Sequence, residues 1–208
     1  MTGASVKPSE TPLHQAAEAG ALIEQLGLPE TQPTLERILA PSTDVLRFLT
    51  SHRDLVVVAL EWPVILRAAE LTRLGFHRDL LALDAGYADK VPKEHAEASF
   101  RVGRRQLSRL RGLKDQRVVQ KYLDAIERGE AHGWNPVVFG IVLTVYGIPL
   151  RQGLIHYATT IMRGFARQLP SVPAGPDFER WLEAVESPLP GAVNYLLSGP
   201  GKPALLAV

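Results

Sequence analysis

The chain of 208 residues contains no cysteine. That absence excludes a disulfide framework, a thiol nucleophile, a thiolate zinc site and an iron–sulfur cluster. Net charge is nearly absent too: 23 Lys and Arg stand against 22 Asp and Glu, a formal +1. The field of the whole molecule therefore gives no general case for nucleic acid, although local patches can still matter. No apolar run reaches the roughly 18 residues needed to cross a bilayer. The best candidate, Pro136 to Leu150 (PVVFGIVLTVYGIPL), is uncharged but short and is cut by Gly147 and Pro149, so it reads as a buried core helix. The first residues, MTGASVKPSETP, show neither a basic start leading into an apolar run nor a cleavage site, and no signal peptide is expected. These exclusions point to a soluble cytoplasmic protein with neither membrane nor nucleic acid as partner.

What is present is a helical pattern. With 46% hydrophobic residues, the chain can bury an ordinary core, and disorder throughout is excluded. From residue 43 to 60, Val45, Phe48, Leu49, Leu55, Val56 and Ala59 recur at helical spacing, with Ser42 or Thr43 as N-cap. Val56-Val57-Val58 is the one serious strand candidate, because β-branched residues lower helix propensity, but no partner strand with turn chemistry stands nearby. Pro63 kinks this segment or starts a new helix, Val64 to Leu74, which Gly75 ends. Further helices are expected from Arg78 to about Ala88, from Lys93 to Leu113 and from about Asp115 to Arg128.

The Lys93 to Leu113 segment is the most clearly amphipathic. Ala96, Phe100, Gly103, Leu107 and Leu110 form one stripe, on which Gly103 would admit a closely packed helix. The opposite side carries Arg101, Arg104, Arg105, Arg109 and Arg111. Asn135-Pro136 reads as an N-cap followed by the first helical position. Gly147 is placed to stop the helix thus begun, and the short joint Gly147-Ile148-Pro149 leads into an antiparallel helix to about Gln168. Beyond Leu169 the chain is rich in proline around two short stretches, Asp177–Val185 and Ala192–Leu197. The expected organisation is a flexible N-terminus over residues 1–11, one all-α domain over 12–198 and a flexible tail over 199–208. That domain reads as a bundle of roughly eight to ten helices.

The residues offer no catalytic constellation. The six histidines, His14, His52, His77, His95, His132 and His156, include no pair at metal-ligand spacing. Of these, His132 beside Gly133 at a helix start is the most interesting. Gly199-Pro200-Gly201-Lys202 lacks the longer loop, the Ser or Thr and the following helix of a phosphate loop. Glu127 with Glu130, and Asp84 with Asp89, are expected to be solvated surface carboxylates. The basic residues from Arg101 to Lys121 leave three readings open: a solvated face, a face that docks an acidic protein, or a phosphate-backbone contact.

At this point the pattern resembles a family, the UreF-type urease accessory proteins. Glu97-Ala98-Ser99-Phe100-Arg101-Val102-Gly103-Arg104-Arg105-Gln106-Leu107 resembles its segment in which a Ser precedes a Gly-Arg-Gln-Leu-type helix turn. His132-Gly133-Trp134-Asn135-Pro136-Val137-Val138-Phe139-Gly140 with Tyr146-Gly147-Ile148 resembles its second signature. Trp62-Pro63-Val64-Ile65-Leu66-Arg67-Ala68-Ala69 is more weakly similar to its Pro-plus-Arg-Ala helix. Departures stand beside these matches. Gly27-Leu28-Pro29-Glu30 has Pro where the family's Gly-Leu-Glu turn has Glu. Arg167-Gln168-Leu169-Pro170 resembles Arg-Leu-x-Pro, but the Gly-Gln pair expected after it is missing.

The resemblance implies an all-helical, commonly dimeric protein without catalysis of its own. It implies a UreD- or UreH-type accessory protein and the UreG-type GTPase as partners, and apo-urease as the client receiving nickel. The chain itself would bind no cofactor, because nickel and GTP are handled by the partners. Gly27, Leu28, Glu30, Ser99, Arg101, Arg104, Arg105, His132 and Arg167 are the partner-contact candidates. Gly103, Asn135, Pro136, Gly140 and Gly147 are the structural ones. The departures keep a second reading open, a diverged helical interaction protein on the same fold that does not serve urease.

Overall fold

The apolar run at Pro136 forms the axis of the fold. In the computed structural model, which describes residues 45–91, 93–167 and 176–198, it is the helix Asn135–Val145, and every residue from Asn135 to Leu143 is buried. A helix apolar on all sides must be surrounded rather than laid on a surface, and this one is. The elements in order are α1 (Val45–Ser51), a π-helical stretch (His52–Glu61), α2 (Trp62–Leu74), α3 (His77–Ala88) and α4 (Lys93–Arg109). A 3-10 turn (Leu110–Gly112) leads to α5 (Arg117–Glu127), α6 (Asn135–Val145), α7 (Leu150–Arg167), α8 (Pro176–Glu186) and α9 (Leu189–Ser198). No strand occurs among the described residues, so the architecture is all-α.

Two glycines set how closely α6 is approached. A Cβ on Gly140 would collide with the Ile65 carbonyl oxygen and the Ala68 side chain of α2, and α2 and α6 form the most extensive helix pair. A Cβ on Gly103 of α4 would collide with the backbone at Gly133 to Asn135, where α6 begins. Against α7 the packing runs through longer side chains in antiparallel order: Phe139 meets Tyr157 at 4.9 Å between ring centroids, and Leu143 lies against Gly153. The joint between these two helices turns on Gly147, whose φ of +64° is left-handed backbone that L side chains resist.

The valine run is helical, but not as an α-helix. His52–Glu61 is a π-helix that passes directly into α2, and the Trp62 amide donates five residues back to the Val57 carbonyl. Pro63 explains the position: it has no amide to donate, and its ring would crowd the carbonyl four residues before it, so a wider ladder just upstream relieves the clash. The buried Arg53 of this stretch donates to the Val185 carbonyl at 2.8 Å. A guanidinium thereby satisfies a carbonyl in the last turn of α8 and complements its dipole. Glu186 at the same end accepts two hydrogen bonds from Arg163 of α7, at 2.8 and 3.1 Å.

Several boundaries differ from the sequence expectation. Helix α3 starts at His77, α5 at Arg117, and α8 and α9 span Pro176–Glu186 and Leu189–Ser198. The Ser42 or Thr43 cap, the two terminal segments, and Gly27, Leu28 and Glu30 lie outside the described residues. None of the described helices is long and apolar enough to cross a membrane.

Candidate functional site

The turn that carries the second signature, Ala131 to Asn135, is held by a carboxylate from another helix. Asp84 of α3 is fully buried and accepts from the His132 amide at 2.7 Å, the Gly133 amide at 3.0 Å and the Tyr122 hydroxyl at 2.6 Å. Its Oδ1 is also 3.0 Å from His132 Nδ1. A carboxylate only accepts, so this contact assigns a hydrogen to Nδ1. The His132 side chain is 49% exposed and stacks on Trp134 at 5.0 Å. Burial and the Asp84 carboxylate together push the Tyr122 hydroxyl far above its usual range. The expectation that Asp84 is a solvated surface acid is overturned. Its position explains the error: Leu80, Asp84 and Tyr87 are the buried residues of α3, so the acid is in phase with the apolar stripe. Its companion Asp89, and both Glu127 and Glu130, are exposed.

Helix α6 is capped from α4 rather than by its own first residue. Trp134, in extended conformation, occupies the N-cap position and makes no side-chain cap. The Asn135 amide instead donates to Ser99 Oγ at 3.2 Å. The Asn135 side chain, expected to cap, points into the core, where Nδ2 donates to the Tyr157 hydroxyl at 3.2 Å and Oδ1 lies 3.4 Å from Gln106 Nε2. This corrects the cap assignment and places Asn135 in a buried polar network.

That network ends at Glu61. The Tyr87 hydroxyl donates to Glu61 Oε1 at 3.2 Å, and Tyr157 also hydrogen-bonds the carboxyl. Glu61 Oε2 has no partner among the described residues. Burial raises the carboxyl to about 7, against the two tyrosine hydrogen bonds that lower it. Glu61 lines a cavity of about 40 Å³ together with Ser99 and Asn135, and with His52, His95 and Phe165, enough room for a water molecule. His52 is buried, stacked on Phe48 and 4.8 Å from the His95 ring. Burial first, and then the charge His95 can carry, push it down to about 3. The cavity therefore holds an acid and a base that both favour their neutral forms. Glu61, His52 and the three tyrosines escaped the sequence reading because their neighbours come from four helices distant in the chain. The only local signal was a polar group in phase with apolar residues.

The structure gathers some of the candidate residues and separates others. Ser99, Gly103, Arg104, His132, Asn135 and Pro136 meet around the start of α6, where Arg104 Nε donates to the His132 carbonyl at 3.1 Å. Arg101 and Arg105 lie on the exposed face of α4. Gly140 and Gly147 sit further along α6, at the α2 contact and the α7 joint. Arg167 ends α7, and its side chain lies outside the described residues. No group of three His, Asp or Glu among the described residues is placed to hold a metal ion. A second cavity of about 480 Å³, lined by Leu66, Leu143, Ile148, Leu150 and Leu197 with Glu70 and Arg73, opens beside the α6–α7 joint.

No curated protein and no solved structure matches the chain. The model of one family, UreF, matches residues 42–167. The matched span runs from the entry into α1 to the last residue of α7 and contains both polar clusters. A match over more than half of the sequence, covering the buried α6 and everything packed around its start, settles the assignment: the chain belongs to the UreF family of urease accessory proteins.

Proposed function

We propose that this protein is a non-catalytic regulator of a partner GTPase in urease maturation. In this reading it joins a UreD- or UreH-type accessory protein, presents a shared surface to the UreG-type GTPase and supports nickel insertion into apo-urease. It works in the cytoplasm, as a homodimer, binding neither nickel nor GTP itself. The domain at 12–198 carries these contacts. The observation that supports the reading is the family match over residues 42–167.

The geometry adds a role for the polar clusters. Asp84, Ser99 and Arg104 fix the turn that displays His132, so that contacts made there are pre-organised rather than formed on binding. Arg101, Arg104, Arg105 and His132 are the partner contacts in this reading, with Gly27, Leu28, Glu30 and Arg167 as further ones. The test is co-elution of the purified chain with the urease GTPase and the second accessory protein, singly and together. A stable complex in at least one combination is expected; no association in any of them overturns the reading.

A further inference from the structure

The cavity of about 480 Å³ beside the α6–α7 joint has an apolar floor. Leu66 and Ala69 of α2, Leu143 of α6, Ile148 of the joint and Leu150 of α7 line it. Thr144 reaches it as well, but its hydroxyl is already engaged by the Ala69 and Gly140 carbonyls, at 3.0 and 3.2 Å. The backbone of the walls is used in the same way. At the end of α6 the Leu143 and Thr144 carbonyls accept from the Ile148 and Gly147 amides, and at the end of α2 the Leu71 and Thr72 carbonyls accept from Phe76 and Gly75. Charge is confined to the α2 edge. Glu70 there accepts from Arg67 at 2.7 Å, whereas Arg73, exposed and nearly one turn further on, makes no hydrogen bond or ion pair with any described residue. Leu74 and Phe76, in the turn just after Arg73, are exposed, and so is Leu150. Large apolar side chains left in water around an apolar groove mark an interaction site.

We propose that this groove takes an amphipathic helix of a partner protein, its apolar face on the floor and a carboxylate beside Arg73. Three observations choose that occupant. An extended segment needs ladder partners, and the helix ends that form the walls have spent theirs, so the occupant must satisfy its own backbone as a helix does. Arg73 supplies the charge: its planar fork suits a carboxylate at the end of an apolar stripe and repels a basic one. A small apolar ligand confined to the cavity would leave Leu74 and Phe76 in water, whereas a helix roughly 10 Å across extends beyond the rim. The same charge argues against the chain's own tail. Residues 199–208 follow Leu197, which also lines the groove, but they include one Lys and no Asp or Glu.

The groove carries this inference by itself, apart from the urease reading. The test uses the full chain, fluorescence anisotropy and a fluorescein-labelled peptide of about 16 residues, long enough to form a helix. It is built of Leu, Ala, Gln and one Glu, with its Leu residues three and four apart. A shuffled peptide whose Leu residues share no face is the rival probe, and a third peptide has Lys in place of the Glu. The parent is compared with Leu150→Glu, with Leu55→Glu at an exposed leucine of the π-helical stretch, and with Arg73→Glu, the circular dichroism of each being checked. The patterned peptide is expected to bind the parent more tightly than the shuffled one. Leu150→Glu is expected to weaken it roughly tenfold, Leu55→Glu to leave it unchanged, and Arg73→Glu to shift the preference from the Glu to the Lys peptide. No binding, equal binding of the shuffled peptide, equal losses in the two leucine variants, or an unaltered preference in Arg73→Glu overturns the proposal. Binding seen only after residues 199–208 are removed would assign the groove to the tail, and a parent dimer that Leu150→Glu makes monomeric would assign it to a second copy; either overturns it too. If Leu150→Glu does not fold, the exchange of preference at Arg73 decides. Failure to co-elute with the urease proteins beside intact peptide binding would strike the functional reading alone.

Discussion

The Asp84 carboxylate lies 3.0 Å from His132 Nδ1 while also accepting from the His132 main-chain amide. One buried acid thus fixes both the backbone and the ring orientation of a half-exposed histidine. Asp84→Asn replaces one accepting oxygen with an amine facing donors. A loss of about 3 kcal/mol in unfolding free energy is expected, measured by denaturant titration. His132→Ala keeps the backbone donors and should cost under about 1 kcal/mol. Equal losses from the two changes would show that the ring, rather than the turn, is what Asp84 holds.

The cap supplied by α4 can be tested alone. Ser99→Ala removes the oxygen that accepts from the Asn135 amide, and Asn135 is buried. The expected cost is about 1–2 kcal/mol, read as a lower thermal midpoint, whereas Ser99→Thr should retain most of the stability.

Glycine substitutions should separate by surroundings. Gly103→Ala drives a methyl group into the backbone at Gly133 to Asn135 and should cost about 3 kcal/mol or more. Gly86 lies inside α3, and a Cβ there meets nothing within 4 Å. Gly86→Ala should stabilise the protein by about 0.5–1 kcal/mol, because alanine has the higher helix propensity. Thermal unfolding of the two single variants checks both signs.

The cavity predicts a pH dependence. Glu61 is raised from its ordinary 4.5 to about 7, so between those values the folded state keeps a proton that the unfolded state has lost. Its contribution is fully present below pH 4.5 and is lost as pH rises to 7, a change on the order of 3 kcal/mol. His52 is lowered from 6.5 to about 3, so its contribution is present above pH 6.5 and is lost as pH falls towards 3. From pH 4.5 to 6.5 the two slopes oppose each other, and stability should be nearly flat. Glu61→Gln should uncover the His52 slope, with stability rising as pH rises through that window. His52→Gln should uncover the opposite slope. Urea titrations across pH read both, and a parent curve as steep as either variant would refute the pairing.

Much of this arrangement was legible locally. The stripe Ala96, Phe100, Gly103, Leu107 and Leu110 fixed the inner face of α4, and Gly147 with Pro149 fixed the joint to α7. An uncharged run too short for a bilayer identified the central helix. Periodicity and turn chemistry are properties of neighbours in sequence, which is why they can be read there. The π-helix was not legible, because a sequence pattern registers helical phase and not the width of the hydrogen-bond ladder.

Composition, periodicity and the two signatures therefore determined an all-helical UreF-type chain, with the basic residues of α4 on one side of the helix. Only the tertiary structure decided what its polar residues do. Asp84 and Glu61 became buried anchors, Ser99 became the cap of a helix it does not belong to, and Asn135 turned from cap to core. The physical reason is the same in each case. A buried polar group must find its partner, and here those partners lie at least 22 residues away, at distances set by helix packing rather than by spacing along the chain.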